Sequence, residues 1–250
     1  MPVSLNADVG EGWGRYECGN DAALMAHITA ASVACGMHAG DPFIMARTVR
    51  LAKQHGVSVG AHPGFNDVWG FGRRRIDMTG PDIEALVAYQ IGALQAIAAR
   101  EGVAVRYVKP HGALNNIAEF DLDVAMAIAR AIHAVDPDLL FVANAGSQML
   151  VAGEKLGLRT LSEGYADRRY GADGRVLGRH KPEAMIREPQ VAARQVQAML
   201  HHGIVETIDG GRIKIKVETV CLHGDEPASE AIARSVRAAI DTCGVELVAI

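Results

Sequence analysis

Short apolar segments alternate with longer amphipathic ones along almost the whole chain, and that alternation limits the fold more than any other feature. Strand-like runs cover residues 3–8, 32–36, 58–62, 106–111, 139–144, 159–163, 214–222 and 246–250. Between them, helical periodicity covers 21–31, 41–55, 81–101, 121–135, 147–156, 189–202 and 227–243. Asp41-Pro42 and Gly80-Pro81-Asp82 put proline in a first helical turn. Gly56, Gly102, Gly157, Gly203 and Gly244 fall just past helix ends, where a left-handed residue closes the last turn. Strands that alternate with helices make βαβ units and a parallel sheet. The early strand ends at Asp8, Gly36 and His62 are 28 and 26 residues apart, close to the roughly 30 residues of one such unit.

Seven or eight units predict an α/β fold closed into a (β/α) barrel, TIM-like, in a single domain over residues 1–250, since one barrel takes about 250 residues. An open doubly wound sheet is the alternative. It needs a glycine-rich phosphate turn after its first strand. The segment Asp8-Val9-Gly10-Glu11-Gly12-Trp13-Gly14 has the glycines, but its carboxylates would repel a phosphate. The barrel is therefore preferred. Residues 207–216 read as a hairpin that turns at Asp209-Gly210-Gly211, an ornament on the barrel.

Composition narrows the partners. A net charge of −4 disfavours a nucleic-acid surface. Cys18, Cys35, Cys221 and Cys243 form no C-x-x-C pair, which disfavours a thiolate zinc site. No stretch of 18 apolar residues and no secretory leader is visible in the sequence, so a cytoplasmic location is expected. A homo-oligomer is compatible with the sequence, which does not determine the assembly.

In a barrel, the residues at the C-terminal ends of strands face the active site. That rule selects Asn6, Asp8 and Glu11 after the first strand, His38 after the second and His62 after the third. It selects Lys109 and His111 after the fourth, Glu163, Asp167 and Arg168 after the sixth, and His223 and Asp225 after the seventh. Four of ten histidines thus fall at equivalent strand ends, each followed by a small residue or proline. Imidazoles near neutrality move protons, and aspartates orient them or activate water. Catalysis is accordingly assigned to Asp8, His38, His62, Lys109, His111 and His223. Substrate binding is assigned to Asn6, Glu11, Glu163, Arg168 and Asp225. Asp8, His38 and His62 could also hold a divalent metal, and a metal-free proton network is equally compatible. Two long connections, 63–80 and 167–187, carry arginines suited to phosphate or carboxylate.

Several strings resemble the LamB/YcsF family. They are Leu5-Asn6-Ala7-Asp8-Val9-Gly10-Glu11, Cys35-Gly36-Met37-His38-Ala39-Gly40-Asp41-Pro42, Gly60-Ala61-His62-Pro63-Gly64, Val108-Lys109-Pro110-His111-Gly112, Glu163-Gly164-Tyr165-Ala166-Asp167-Arg168 and Cys221-Leu222-His223-Gly224-Asp225. The resemblance runs in order along essentially the whole chain. It implies a barrel like those of carbohydrate deacetylases. It also implies the role of the A component of an ATP-dependent 5-oxoprolinase, which opens the lactam of 5-oxoproline (pyroglutamate) to glutamate with partner 5-oxoprolinase subunits B and C. ATP is then the cofactor of the complex. The chain has no G-x-x-x-x-G-K-[ST] phosphate loop, so ATP-dependent activation is expected of the partners and hydrolysis of this chain. Two rivals stand beside that expectation: a metal-dependent amidase or deacetylase on an N-acyl carbohydrate, and a non-catalytic protein that presents substrate to its partners.

Overall fold

The computed structural model describes residues 2–250. Seven parallel strands close into a barrel: β1 (Ser4–Val9), β2 (Ala30–Ala34), β3 (Ser58–His62), β4 (Val105–Val108), β5 (Leu140–Asn144), β6 (Thr160–Tyr165) and, after a two-stranded hairpin of β7 (Ile204–Glu206) and β8 (Arg212–Lys214), β9 (Thr219–His223). β9 pairs with β6 on one side and β1 on the other, which closes the ring. The larger helices around it are α2 (Pro42–His55), α3 (Gly80–Arg100), α5 (Leu122–Val135), α6 (Gln148–Lys155), α7 (Pro189–His202) and α8 (Ser229–Thr242). Two short helices, α1 (Asp21–Met25) and α4 (Gly112–Ala118), complete the α-helical set among the described residues. Asp41, as N-cap of α2, accepts from the amides of Phe43 and Ile44, and Gly56 ends that helix with φ +66°.

The strands are buried on both faces, as parallel strands are. Leu5, Ala7, Val9, Val33, Val59 and Ala61 belong to the main apolar core. The opposite faces carry polar groups. Ser4 donates to Thr219 across 2.7 Å, and Ser32 meets the Tyr107 hydroxyl at 3.1 Å. Only the lower layer of the barrel is apolar, where Ala30, Tyr107 and Val142 pack with Leu140, Leu161 and Ile250. Tyr107 lies against Gly60, where a Cβ would stand 2.3 Å from its ring.

Four expectations need correction. Residues 246–250 add no eighth barrel strand. Val3 alone bridges Leu247, and Ile250 reaches back so that its carbonyl accepts from Ser58. β1 is already paired by β2 and β9, and a closed barrel leaves no free edge. The run 214–222 divides between β8, which pairs antiparallel with β7 in the expected hairpin, and β9. The helix expected over 21–31 stops at Met25, because β1 captures Ala30 and Ala31 as ladder partners. β4 ends at Val108, so Lys109 and His111 stand on the turn above it. Lys109 and His111 still donate to the Ala61 and Pro63 carbonyls, while Pro110 between them has no N–H to give.

Gly60→Ala should therefore destabilise the protein by about 1–3 kcal/mol through overpacking against Tyr107. A thermal melt of G60A beside G60A/Y107L tests this. The double variant should recover most of the lost Tm.

Candidate active site

A lysine sits at the centre of the barrel. The Lys109 side chain crosses the interior with its ammonium 2.7 Å from Asp8 Oδ1 and 3.2 Å from Glu163 Oε1. It donates to Asn6 Oδ1 at 2.9 Å and contacts Cys221 Sγ at 3.0 Å. Asn6 in turn donates to Glu163 and Thr219, each at 2.9 Å. Every member of this group is buried. Burial alone would lower the lysine pKa, but the charges of Asp8 and Glu163 outweigh it and hold the ammonium well above its ordinary range. Burial would raise Asp8, and His62 and Lys109 instead hold it well below the usual carboxylate range.

Above this group three imidazoles and a carboxylate converge. His62 Nδ1 lies 2.7 Å from the Lys109 carbonyl, and His111 Nε2 lies 2.8 Å from the Phe71 carbonyl. A carbonyl only accepts, so these nitrogens carry the protons. In the neutral rings, lone pairs then remain on His62 Nε2 and His111 Nδ1, 3.0 Å apart. Two lone pairs that close require a proton or a metal cation between them. Asp8 Oδ2 is 3.3 Å from His62 Nε2, and Glu11 Oε1 is 3.3 Å from His111 Nδ1 and 3.1 Å from His38 Nε2. His38 stacks on His111 with ring centroids 3.6 Å apart, and its Nδ1 is buried without a hydrogen-bond partner. Burial and the adjacent imidazoles hold His38 and His111 well below the ordinary histidine pKa. Burial works against a charge on His62 as well, but Asp8 outweighs it and raises the pKa.

One donor atom from each of Glu11, His38, His62 and His111 lies within 4.8 Å of the others. His62 and His111, each oriented by a hydrogen bond from the far nitrogen, make with His38 and the Glu11 carboxylate a donor set for zinc or another divalent transition metal. The residues present fit such an ion. Phe71 holds the group down from above. It adopts φ +55°, unusual for a bulky side chain, and so aims its carbonyl at His111. Gly72, at φ +63°, follows where a Cβ would stand 2.7 Å from His38.

Across the mouth, His223 completes the site. Its Nδ1 lies 3.0 Å from both Asp167 oxygens, and its backbone N–H donates to the same carboxylate at 2.8 Å. Its Nε2 is 4.0 Å from Asp8 Oδ2. Burial opposes charge on Asp167, but His223 outweighs it and holds the carboxyl below its usual range. Asp225 Oδ2 accepts from Arg73 and Arg179, each at 2.8 Å. These arginines come from the two long connections, so one carboxylate ties both loops over the barrel. A cavity of about 590 Å³ opens between the His62–His111 wall and the 167–187 connection, with Tyr165 and His223 at its side.

Residues 3–250 match the LamB/YcsF family as a whole. The chain belongs to the LamB/YcsF family. It is 50% identical over 249 residues to a Rhodopseudomonas palustris protein named as the A component of 5-oxoprolinase, covering 99% of this chain and 98% of that one. It is 46% identical to the protein of the same name from Gluconobacter oxydans, covering 97% of this chain and 96% of the relative. A solved structure, described as a lactam utilization protein from Thermus thermophilus, superposes with a TM-score of 0.94 at 42% identity, covering all of both chains. A polysaccharide deacetylase from Bacillus cereus shares the fold, with a TM-score of 0.52 at 14% identity, covering 100% of this chain and 91% of that one.

In this LamB/YcsF chain Asp8, Glu11, His38, His62, Lys109 and His111 come together, with His223 facing them. Asn6 and Glu163, expected to touch substrate, lie beneath Lys109 with their polar atoms engaged there and do not line the cavity. His38 is likewise held behind His111. Asp8 falls outside the group of Glu11, His38, His62 and His111 and lies instead with Cys221 and His223 in a second donor group. Asp8 is drawn aside by Lys109. Glu11 enters because Gly10, at φ +68°, turns the chain back over the strand end. Tyr165, Arg73 and Arg179 were not selected by the strand-end rule. Asp167, two residues past β6, was selected by that rule without a role, and its contact with His223 gives it one.

Lys109→Ala removes the cation between two buried carboxylates. It should cost about 3–5 kcal/mol of stability, read from denaturant unfolding. Asp225 gives a pH dependence. Burial would raise its pKa, but Arg179, His223 and Arg73 lower it to about 2 from an ordinary 3.8. A depressed carboxylate contributes stability that is complete above its unfolded value and is lost as pH falls through the folded one. The Tm gap between wild type and Asp225→Asn should therefore be constant above about pH 5 and shrink from about pH 4 to about pH 2. A gap that does not narrow on acidification contradicts the paired carboxylate.

Proposed function

We propose that this chain is the hydrolytic component of an ATP-dependent 5-oxoprolinase, opening the 5-oxoproline lactam to glutamate after partner subunits B and C activate it with ATP. One combination supports this reading: full-length similarity to proteins named as the A component of 5-oxoprolinase, in a barrel whose mouth sets a Glu11–imidazole cluster opposite a His223–Asp167 pair. A lactam nitrogen is a poor leaving group. Phosphorylation of the lactam oxygen by the partners would make the ring carbon open to water. No helix among the described residues is long and apolar enough to cross a membrane, and a cytoplasmic setting supplies ATP.

A divalent metal held by Glu11, His38, His62 and His111 would supply Lewis-acid polarisation and acidify a bound water. The chain's own residues do the rest. Asp8, kept ionised by Lys109 and His62, takes the proton of the attacking water. His223, turned by Asp167 so that Nε2 faces Asp8, gives a proton to the ring nitrogen as the carbon–nitrogen bond breaks, and the γ-glutamyl acyl phosphate so formed is hydrolysed by a second water to glutamate and inorganic phosphate. The proton gained at Asp8 and the one lost at His223 balance over a turnover. Lys109 acts through Asp8 and does not meet the substrate first, because its ammonium is already engaged by four partners.

The donor cluster also favours a second reading, a metal-dependent amidase or deacetylase acting on an N-acyl carbohydrate. One experiment separates the two. Glutamate release is measured from 5-oxoproline and ATP with this chain mixed with subunits B and C, and with each component omitted. Release that requires all three supports the first reading, and His223→Asn should then lower kcat by about 10²–10⁴-fold. No release from a folded mixture, together with chelator-sensitive release of acetate from an N-acetyl sugar, would favour the deacetylase.

A further inference from the structure

Arg168 stands out because it is charged, almost fully enclosed and unpaired. The residue is 8% exposed. One guanidinium nitrogen donates to the Leu177 carbonyl, while Nε is buried with no hydrogen-bond partner. Its neighbour Asp167 spends both carboxylate oxygens on His223. Among the described residues no carboxylate forms an ion pair with it. Arg179, a neighbouring cation, adds repulsion. Burial, and then the charge of Arg179, push the Arg168 pKa below its ordinary value.

This position is not a loose surface accident. Gln195 donates to the Arg168 carbonyl at 2.8 Å and to that of Tyr165 at 2.7 Å, which fixes the backbone. Arg168 also bridges Met185 across the base of the 167–187 connection. A desolvated guanidinium without a counter-charge is costly, and the fold holds one rigidly at the wall of the cavity. Arg179, His180 and Lys181 line the same cavity, as do Asp8, Glu11 and His62.

We propose that Arg168, with Arg179 beside it, is the subsite for an oxyanion of the substrate, in the same cavity as the hydrolytic groups. The proposal rests on the lactam-hydrolase reading and adds what holds the ligand. The planar fork of a guanidinium donates to a carboxylate or a phosphate in the same bidentate way. The anion is thus either the carboxylate of the lactam acid or the phosphate of its activated form. In the free protein Arg179 rests on Asp225. A bound oxyanion gives Arg179 a second partner and gives Arg168 its first counter-charge.

The test is thermal unfolding of the full chain in sodium phosphate, in 5-oxoproline and in the uncharged lactam 2-pyrrolidinone, at ionic strength matched with sodium chloride. Wild type should gain Tm with phosphate, with 5-oxoproline or with both, and with neither pyrrolidinone nor chloride. A response to phosphate alone identifies the activated form as the anion's source, and a response to 5-oxoproline alone identifies the carboxylate. Arg168→Gln should lose the response and melt, without ligand, at or above the wild-type temperature, because an unpaired buried charge has gone. Arg168→Lys keeps the charge without the fork and should bind the responsive anion roughly tenfold or more weakly. It carries the test alone if the glutamine variant does not fold. The proposal is overturned if neither anion shifts wild type, if either variant responds as wild type does, or if both variants melt well below it. Failure of the hydrolase reading has a different signature: anions bind through Arg168, yet the mixture with subunits B and C makes no glutamate. Glutamate formed by Arg168→Gln with unchanged KM would remove the subsite and leave the hydrolase reading intact.

Discussion

The structure depends first on one buried cation. Lys109 projects from the turn after β4 into the barrel and reaches groups on β1, β6 and β9, far from it in sequence. A barrel interior is usually filled with branched aliphatic side chains. Here the upper interior is an ionic network that packs only if each charge is matched. Its members therefore specify one another. Asp8 stays ionised because Lys109 and His62 face it, Glu163 is held by Asn6 and Lys109, and Cys221 fits against the ammonium. Such a network is weak evidence for stability, since aliphatic replacement can be as stable. Its consistent effect is to fix where the Asp8 carboxylate points.

That fixed carboxylate links the two halves of the mouth. Asp8 Oδ2 faces His62 on one side and His223 on the other. The strand ends are rigid, and the groups that cover them from above come from connections. Phe71 caps the imidazole cluster from the 63–80 connection. Arg179, and Arg175 stacked 3.8 Å above the Phe120 ring, pin the 167–187 connection across the cavity. The partly buried Arg179–Asp225 pair and the cation–π contact of Arg175 both hold it in place.

Much of this was legible in the sequence. Glycine and proline punctuation with strand–helix alternation indicated a closed barrel, and position at strand ends selected Asp8, His62, Lys109, His111 and His223. It failed where a role depends on what stands across the barrel. Asn6 and Glu163 look like cavity residues by position, and the inward reach of Lys109 covers them. Arg73 and Arg179 read as loop arginines suited to an anion, and both converge on Asp225 only when their two connections fold together. Residues 246–250 alternate like a strand, and a ring already closed by β9 left them no edge.

The linear pattern of residues was enough for the strand count to within one, the face on which chemistry gathers and the family. Periodicity, caps and strand-end position are local properties, carried by neighbouring residues along the chain. Packing in three dimensions selected Glu11 and His111, and not Asp8, to complete the cluster with His38 and His62. It also turned Asp167 onto His223 and left Arg168 enclosed at the cavity wall with no counter-charge. Each of these depends on ångström-scale distances between strands far apart in sequence, and on how burial and neighbouring charges compete at one atom. No spacing along the chain encodes that competition.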